Sequence, residues 1–421
     1  MAGLIFEGET ESLAPRQQEF VSGVLQKRGL KADKVTIATL GKAGDNFAAN
    51  VKMIIAKLEN GGEFKMVAKI APTSEMLRAT MSTVTVFGNE SFMYNDVLPK
   101  FRELHRAAGL SPEDTFRFPE CYGALMEPFN EIILLEDLTE SNFKMLDRFT
   151  PLTNECIKLI LKNFAIFHSL SFVLKNQEVD TFDSYKNRFG DIFTKMLENN
   201  DTKIFFSSIE TDTLALMDSD RYRNAVRGTV SKLLEISTKI FKNELTSRYS
   251  VITHGDAWTN NVMFRIEDNV TLDAVLIDYQ LCKVVSPVND LQYMIFNCTD
   301  YGTRRKHYYE WLDYYHTELD NSLANFDLKA NYVFPREQLD ADLRRHSRLY
   351  LAMIIMSQSM LIRKNEDAAQ MKEAIKNLNS EDVEKISQSM QVSQLDSESV
   401  ALFKKKIEDL VDSFHDFGYL D

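Results

Sequence analysis

The sequence predicts an α+β protein of two lobes, with a small β-rich front and a larger, mostly helical rear. Three observations carry this reading. The chain has 421 residues, more than one small core organises. Its first third is built from short apolar, β-branched runs separated by turn residues. Most of the remainder shows apolar residues at helical spacing. The change falls just after Glu136-Asp137-Leu138, which divides the chain into residues 1–138 and 139–421.

The elements follow in order. VTIATL is a short strand ahead of a glycine turn, and NVKMIIAKL and EFKMVAKIA flank ENGG as a hairpin. Residues 86–98 read as a helix that stops before Pro99. EIILLEDL, residues 131–138, has the pattern of a buried strand. Long amphipathic helices are predicted over 155–172, 305–320 and 338–362. The polar stretch 364–396 is expected to include a mobile loop.

Bulk chemistry removes several classes. Hydrophobic residues make up 44% and charged ones 26%, as in a soluble globular chain. The net charge of −13 argues against general nucleic-acid binding, because little would neutralise phosphates. It permits a cationic substrate without demanding one. Cys121, Cys156, Cys282 and Cys298 form no C-x-x-C pair and have no histidine cluster beside them, so free thiols in a reducing cytoplasm are expected. MAGLIFEGETESLAP has neither a basic start nor a long apolar core, so no signal peptide is expected. The late run LYLAMIIMSQSMLI is too short and polar to span a bilayer, so no membrane insertion is expected.

The informative segment is VITHGDAWTNNVMFRIEDNVTLDAVLIDYQ, residues 251–280. A turn at 267–269 folds it into an antiparallel hairpin, with Asn261 and Asp278 at one open end. The two arms differ in length, and a bulge absorbs the offset. His254-Gly255-Asp256 precedes Asn261, so Asp256, Asn261 and Asp278 converge on one mouth. Two carboxylates and an amide oxygen suit a hard cation such as magnesium. Phosphoryl transfer needs such a cation against the phosphate oxygens, and a carboxylate to take the proton of the attacking hydroxyl. The D-x-x-x-x-N spacing from Asp256 to Asn261 matches the kinase catalytic loop. The blander reading is a tight turn with Asp278 capping an element.

HGDAWTNNVM followed by LIDYQ resembles the ecdysteroid-kinase-like family, within the superfamily of choline and aminoglycoside kinases. The likeness runs from about Leu40 to the late helices. It implies a protein-kinase-like fold, with an ATP-binding front lobe over 1–138 and a catalytic, substrate-binding rear lobe over 139–421. It implies ATP and Mg²⁺ as cofactors, Asp256 as catalytic base, and Asn261 and Asp278 as magnesium ligands. In the same pattern, Lys69 of KMVAKIAP holds the α and β phosphates and Glu90 positions it. Glu90 would share a helix face with Met93, Tyr94 and Val97, and a carboxylate on an apolar face calls for a partner. The bland reading is a lysine that snorkels, as Lys65 is expected to do.

The turn LGKAGDNF resembles the family's glycine turn, with Gly41, Gly44 and Asn46 as nucleotide-binding candidates, although Lys42-Ala43 alters the spacing. ILLEDL resembles the hinge between lobes, where backbone near Glu136 would meet adenine; a plain buried strand explains it nearly as well. His168 reads as a satisfied core histidine, His254 as a brace, and Asp290 as a support for the catalytic loop. Arg344, Arg345 and His346 read as a solvated basic face. The leading expectation is a kinase acting on a hydroxyl of a small lipophilic alcohol, an ecdysteroid or xenobiotic. A choline, ethanolamine or aminoglycoside kinase would be marked by several acids in the substrate pocket. A catalytically inactive binding protein would be marked by loss of Lys69, Asp256 or Asp278, and all three are present. A protein kinase is disfavoured, since no D-F-G or A-P-E occurs. No oligomeric state is predicted.

Overall fold

The computed structural model describes residues 4–41, 49–190, 192, 200–377 and 391–420. The front lobe is a six-stranded sheet in the order β1-β2-β3-β4-β6-β5. Its strands are β1 (Ile5–Gly8), β2 (Ala32–Thr39), β3 (Asn50–Leu58), β4 (Glu63–Ile70), β5 (Cys121–Leu125) and β6 (Ile132–Glu136). β1 joins parallel, and the remaining pairs are antiparallel.

Alternation along β4 builds two layers. Met66, Ala68 and Ile70 point into a core with Val21, Val24 and Leu25 of the helix Pro15–Lys27. The other face carries Val67, with Ile133 and Leu135 of β6, against the helix Thr83–Phe92. Lys69 belongs to this second face, so its strand neighbours are buried away from it.

That second helix corrects one expectation. It does not stop before Pro99: a π-turn over Met93–Val97 carries it into the helix Leu98–Ala107. The Leu98 N–H reaches back to the Met93 carbonyl, one residue further than in an α-helix. Pro99 then falls in the first turn of the next helix, where a missing N–H costs little.

The rear lobe is helical around two small sheets. The long helix Asn154–Gln177 packs against Tyr301–Ala324 and against the central hairpin. It is long and apolar enough to cross a membrane by length and composition, but most of its apolar stretch is buried inside the protein. The hairpin pairs β9 (Val262–Glu267) with β10 (Val270–Leu276), and β7 (Phe143–Met145) adds to the β9 edge. Asp268 and Asn269 both have positive φ, as a two-residue hairpin turn requires. The register shifts between Thr271 and Asp273, which is the expected bulge. β8 (Val251–Thr253) and β11 (Lys283–Val285) form the second sheet.

Within 364–396, Asn365–Asn377 is a helix, and 378–390, where the expected loop would fall, lies outside the described residues. One further expectation changes. The basic cluster is a solvated face only in part: Arg344 and Arg345 are exposed, and His346 is not. On the helix Arg336–Leu361, Asp342, Leu343, His346, Ser347 and Tyr350 recur at helical spacing and face inward. His346 is therefore buried beside Glu244, and Arg345, though exposed, is paired with Glu244 and Asp342.

Candidate active site

The front lobe supplies a buried ion pair. Lys69 is the penultimate residue of β4, opposite Val51 of β3 and Ile133 of β6. Glu90 sits on the apposed helix, fully buried with Met93, Tyr94 and Val97. Lys69 Nζ donates to Glu90 Oε2 at 2.6 Å and to Asp278 Oδ1 at 2.5 Å. Burial alone would push the ammonium down, but the charges of Asp278 and Glu90 more than offset it and keep it protonated. Burial also dominates at Glu90 and raises its carboxyl to about 7, with the lysine offsetting part of the effect. One cation thus joins the sheet, the helix and the rear-lobe hairpin.

The rear lobe supplies a braced loop. Asp290, in the helix Val288–Cys298, is fully buried. It accepts the backbone N–H of His254 at 2.7 Å and of Gly255 at 2.8 Å. His168 Nε2 lies 3.1 Å from the same carboxylate, and His168 Nδ1 lies 2.9 Å from the Tyr315 hydroxyl. Burial opposes charge on Asp290, but the bond to His168 and the loop amides hold its pKa below the ordinary value. His168 is therefore a satisfied core histidine, and Asp290 supports the loop.

His254 braces the loop from within. Its Nε2 meets the Ile277 carbonyl at 2.9 Å, and its Nδ1 accepts the Asp256 N–H at 3.3 Å. This pairing requires the neutral imidazole with its proton on Nε2, and burial lowers its pKa in agreement. Gly255 has φ +81°, and a Cβ there would meet the Leu281 carbonyl oxygen at 2.2 Å. Only glycine fits the turn that delivers Asp256.

Asp256, Asn261 and Asp278 then share one mouth. The Ile277 N–H donates to the Asn261 carbonyl at 3.0 Å, locking the end of β10 to the loop. Asp278 follows with φ +69°. Asn261 Nδ2 donates to the Asp256 carbonyl at 2.8 Å and to Asp256 Oδ2 at 3.1 Å. The Tyr293 hydroxyl donates to Asp256 Oδ1 at 3.1 Å. Burial and the nearby Asp278 charge raise the Asp256 carboxyl to about 7, against the pull of Tyr293, Lys69 and Asn261. Asn261 Oδ1 and Asp278 Oδ2 accept no hydrogen bond among the described residues. These two oxygens suit a magnesium ion that takes its other ligands from water and phosphate. Among the described residues no group of three or more His, Cys, Asp or Glu is placed to hold a metal ion.

The structure thus brings together Lys69, Glu90, Asp256, Asn261 and Asp278. Gly41 has φ +79° at the end of β2, while Gly44 and Asn46 lie outside the described residues. Glu136 stands apart. Its N–H donates to the Glu120 carbonyl, and its carboxylate accepts the Glu120 N–H and meets Arg117. Its own amide is therefore committed. Sequence reasoning missed Tyr293, whose only signal is its place one helical turn after Asp290. It also missed the direct contact of Lys69 with Asp278.

A small cavity of about 10 Å³ is lined by Trp258 and Thr259, which follow Asp256 in the loop, with Arg148, Phe149, Gln358, Leu361, Ile362 and Lys406. Asn297 also lines it, one turn along the helix from Tyr293. No carboxylate lines it. The four cysteines are free thiols.

The model of the ecdysteroid kinase-like family matches residues 43–328 of the 421, and the chain belongs to that family. Among solved structures, it is similar to a mutant aminoglycoside 2'-phosphotransferase-IIIa in its GDP complex, at 13% identity and a TM-score of 0.43, covering 95% of this chain and 99% of that one. It is also similar to a Plasmodium vivax ethanolamine kinase, at 13% identity and a TM-score of 0.41, covering 93% of this chain and 97% of that one. No curated protein matches it.

Proposed function

We propose that the chain is an ATP-dependent, cytoplasmic kinase that phosphorylates a hydroxyl of a small lipophilic alcohol. The observation that carries this is the buried Lys69, held between Glu90 and Asp278 in the same mouth as Asp256. An ammonium kept charged at that place is suited to the nucleotide's phosphate oxygens. Asp256 takes the proton of the attacking hydroxyl as its oxygen bonds the γ-phosphorus and the bond to the β-phosphate oxygen breaks. Tyr293 and Asn261 hold the carboxylate in one orientation for this transfer. Asn261 and Asp278 would hold magnesium, which supplies positive charge against the phosphate oxygens when bound.

The lining of the small cavity at Trp258 and Thr259 supports this acceptor class over a choline, ethanolamine or aminoglycoside one. A cationic acceptor calls for carboxylates, and the lining has none: it carries Arg148, Lys406, the neutral polar Thr259, Asn297 and Gln358, and apolar side chains. An inactive binding protein would have no need of the braced Asp256. The test is transfer from labelled ATP with Mg²⁺ to a panel of ecdysteroids, plant-derived alcohols, choline and an aminoglycoside, beside Asp256→Asn. Transfer to lipophilic alcohols, lost in the variant with ATP still bound, is expected. Turnover retained in Asp256→Asn would sink the assignment of the base.

A further inference from the structure

A cavity of about 280 Å³ lies against the last turns of the helix Asn154–Gln177. That is close to the lower end of small-molecule clefts, roughly 300–1,000 Å³. Its wall is made by Phe172, Lys175 and Asn176 of that helix, by Val179, Phe182 and Asp183 of the helix Val179–Lys186, by Tyr332 and Val333 of the helix Ala330–Val333, and by Arg248. None of Lys69, Glu90, Asp256, Asn261, Asp278 and Tyr293 lines it, so it is separate from the candidate active site. The transfer chemistry gives it no task.

Two cations line this cavity, and neither has a carboxylate partner among the described residues. Lys175 Nζ donates to the Ser247 carbonyl at 2.9 Å and to the Ser250 carbonyl at 2.6 Å, and lies 4.9 Å from the centre of the Phe182 ring. An ammonium has three N–H groups, so one is left over. Arg248 donates to the Tyr249 hydroxyl and lies 4.5 Å from the centre of that ring. The acids nearby are engaged elsewhere. Asp183, the one carboxylate in the lining, pairs with Lys186 at 2.7 Å, and Glu244 pairs with Arg345 and accepts from Ser250. Burial, with a smaller push from Lys186, lowers the Lys175 pKa to about 8. The negative end of the helix accounts for one cation at its last turn. It does not account for a second at Arg248, which comes from the segment ahead of β8.

The rest of the lining is largely apolar. Phe172 and Phe182 are buried, whereas Val179 is 53% exposed and Tyr332 82% exposed, the greatest exposure among the large hydrophobic side chains described. Asn176 turns its amide N–H back to the Phe172 carbonyl at 2.7 Å. Apolar surface left open beside two cations without acid partners matches one ligand chemistry. We propose that this cavity is a binding site for an amphipathic organic anion, whose head group meets Lys175 and Arg248 and whose apolar body lies against Phe172, Phe182, Val333 and Tyr332. A cationic ligand is repelled by the same pair, and a neutral one leaves both charges unmatched. The site does not depend on the kinase reading. It stands at the root of the catalytic loop, since Ser250, held by Lys175, leads through β8 into His254-Gly255-Asp256.

Titration calorimetry on the full chain tests this with 2-naphthoate, 2-naphthyl sulfate and 2-naphthyl phosphate, beside neutral 2-naphthamide. At least one anion is expected to bind tenfold or more tighter than the amide, and the ranking of the three tells the head groups apart. Arg248→Met should remove most of that preference with Tm unchanged, since the arginine is exposed. Tyr332→Ala should weaken anion and amide alike. Asp256→Asn, or saturating ATP with Mg²⁺, should leave the binding as it is. No binding by any anion, equal binding of anion and amide, or a preference that survives both Arg248→Met and Lys175→Met would overturn the proposal. So would binding that is lost in Asp256→Asn or displaced by ATP, which places the anion in the catalytic mouth instead. The readout is binding, so a failure of phosphate transfer rejects the kinase reading and leaves this site standing.

Discussion

Replacing Lys69 with methionine tests the ion pair that joins the two lobes. Its two contacts, at 2.6 and 2.5 Å, each amount to roughly 6 kcal/mol of attraction at an effective dielectric constant of about 20. Desolvation of the three ions takes back several kcal/mol each, so the net value of the intact cluster is small. Removing the cation is different, because it leaves Glu90 buried and facing Asp278. Breaking a buried pair in this way costs about 3–5 kcal/mol. The loss also depends on pH. Glu90 titrates near 7 in the parent, above its unfolded value. A raised carboxyl pKa is stabilising below the unfolded value, and that contribution is lost as pH rises through the folded one. Without Lys69 the folded pKa climbs further. The gap between parent and variant is then nearly constant below pH 7 and changes by up to ~1.4 kcal/mol per pH unit above it. Linkage makes the variant bind the extra proton in that range, so the gap widens. Denaturant unfolding of nucleotide-free protein at pH 6 and pH 8 measures both terms. Adding Glu90→Gln to the variant should recover part of the stability and none of the transfer. A loss under ~1 kcal/mol, equal at both pH values and not relieved by Glu90→Gln, would refute the reasoning.

Three other outcomes follow from the loop. Gly255→Ala should cost about 2 kcal/mol or more and most of the activity, because its Cβ collides with the Leu281 carbonyl at a positive φ; unfolding and kcat report both. Asp290→Asn replaces an anion that serves four donors with a group bearing an N–H of its own. It should cost about 3 kcal/mol and more than tenfold in kcat, with KM for ATP nearly unchanged. Asp256→Asn should raise the Tm of nucleotide-free protein at pH 8 and much less at pH 5. The Asp256 carboxyl is raised to about 7, so its cost to folding builds as pH climbs from the ordinary carboxylate range toward that value and is complete above it.

What was legible in the sequence was what the chain encodes locally. Asp256, Asn261 and Asp278 lie within one hairpin, so counting residues on each arm places them together once a bulge is allowed. Glu90 was legible because a carboxylate among Met93, Tyr94 and Val97 must find a partner. The misses depend on contacts between distant segments or on backbone detail. Lys69 reaches Asp278 across 209 positions, and Tyr293 reaches Asp256 through the packing of a later helix. The small cavity at Trp258 draws on residues from Arg148 to Lys406, which no periodicity links. Pro99 reads as a stop because an uninterrupted α-helix cannot take it, whereas the π-turn before it lets it fall in the first turn of the following helix. His346 reads as solvated from its neighbours in sequence, although its helical position faces Glu244.

The hairpin also explains why the polar groups stand at the ends of buried strands. At Ile277 the ladder is over, yet the backbone is still held on both sides. Its N–H is taken by Asn261 and its carbonyl by His254. Asp278 is the first residue beyond that clamp, and it turns into the left-handed region at φ +69° to bring its carboxylate back toward Lys69. Aspartate tolerates that conformation better than most residues, but it is still a cost at this half-buried position. The same two groups that fix Ile277 also touch Asp256, Asn261 through its side-chain amide and His254 through Nδ1. Moving either carboxylate therefore disturbs the contacts that hold the other. The spacing of base and metal-ligand candidates is set by backbone hydrogen bonds rather than by the side chains alone, which is why a single Cβ at Gly255 should damage both.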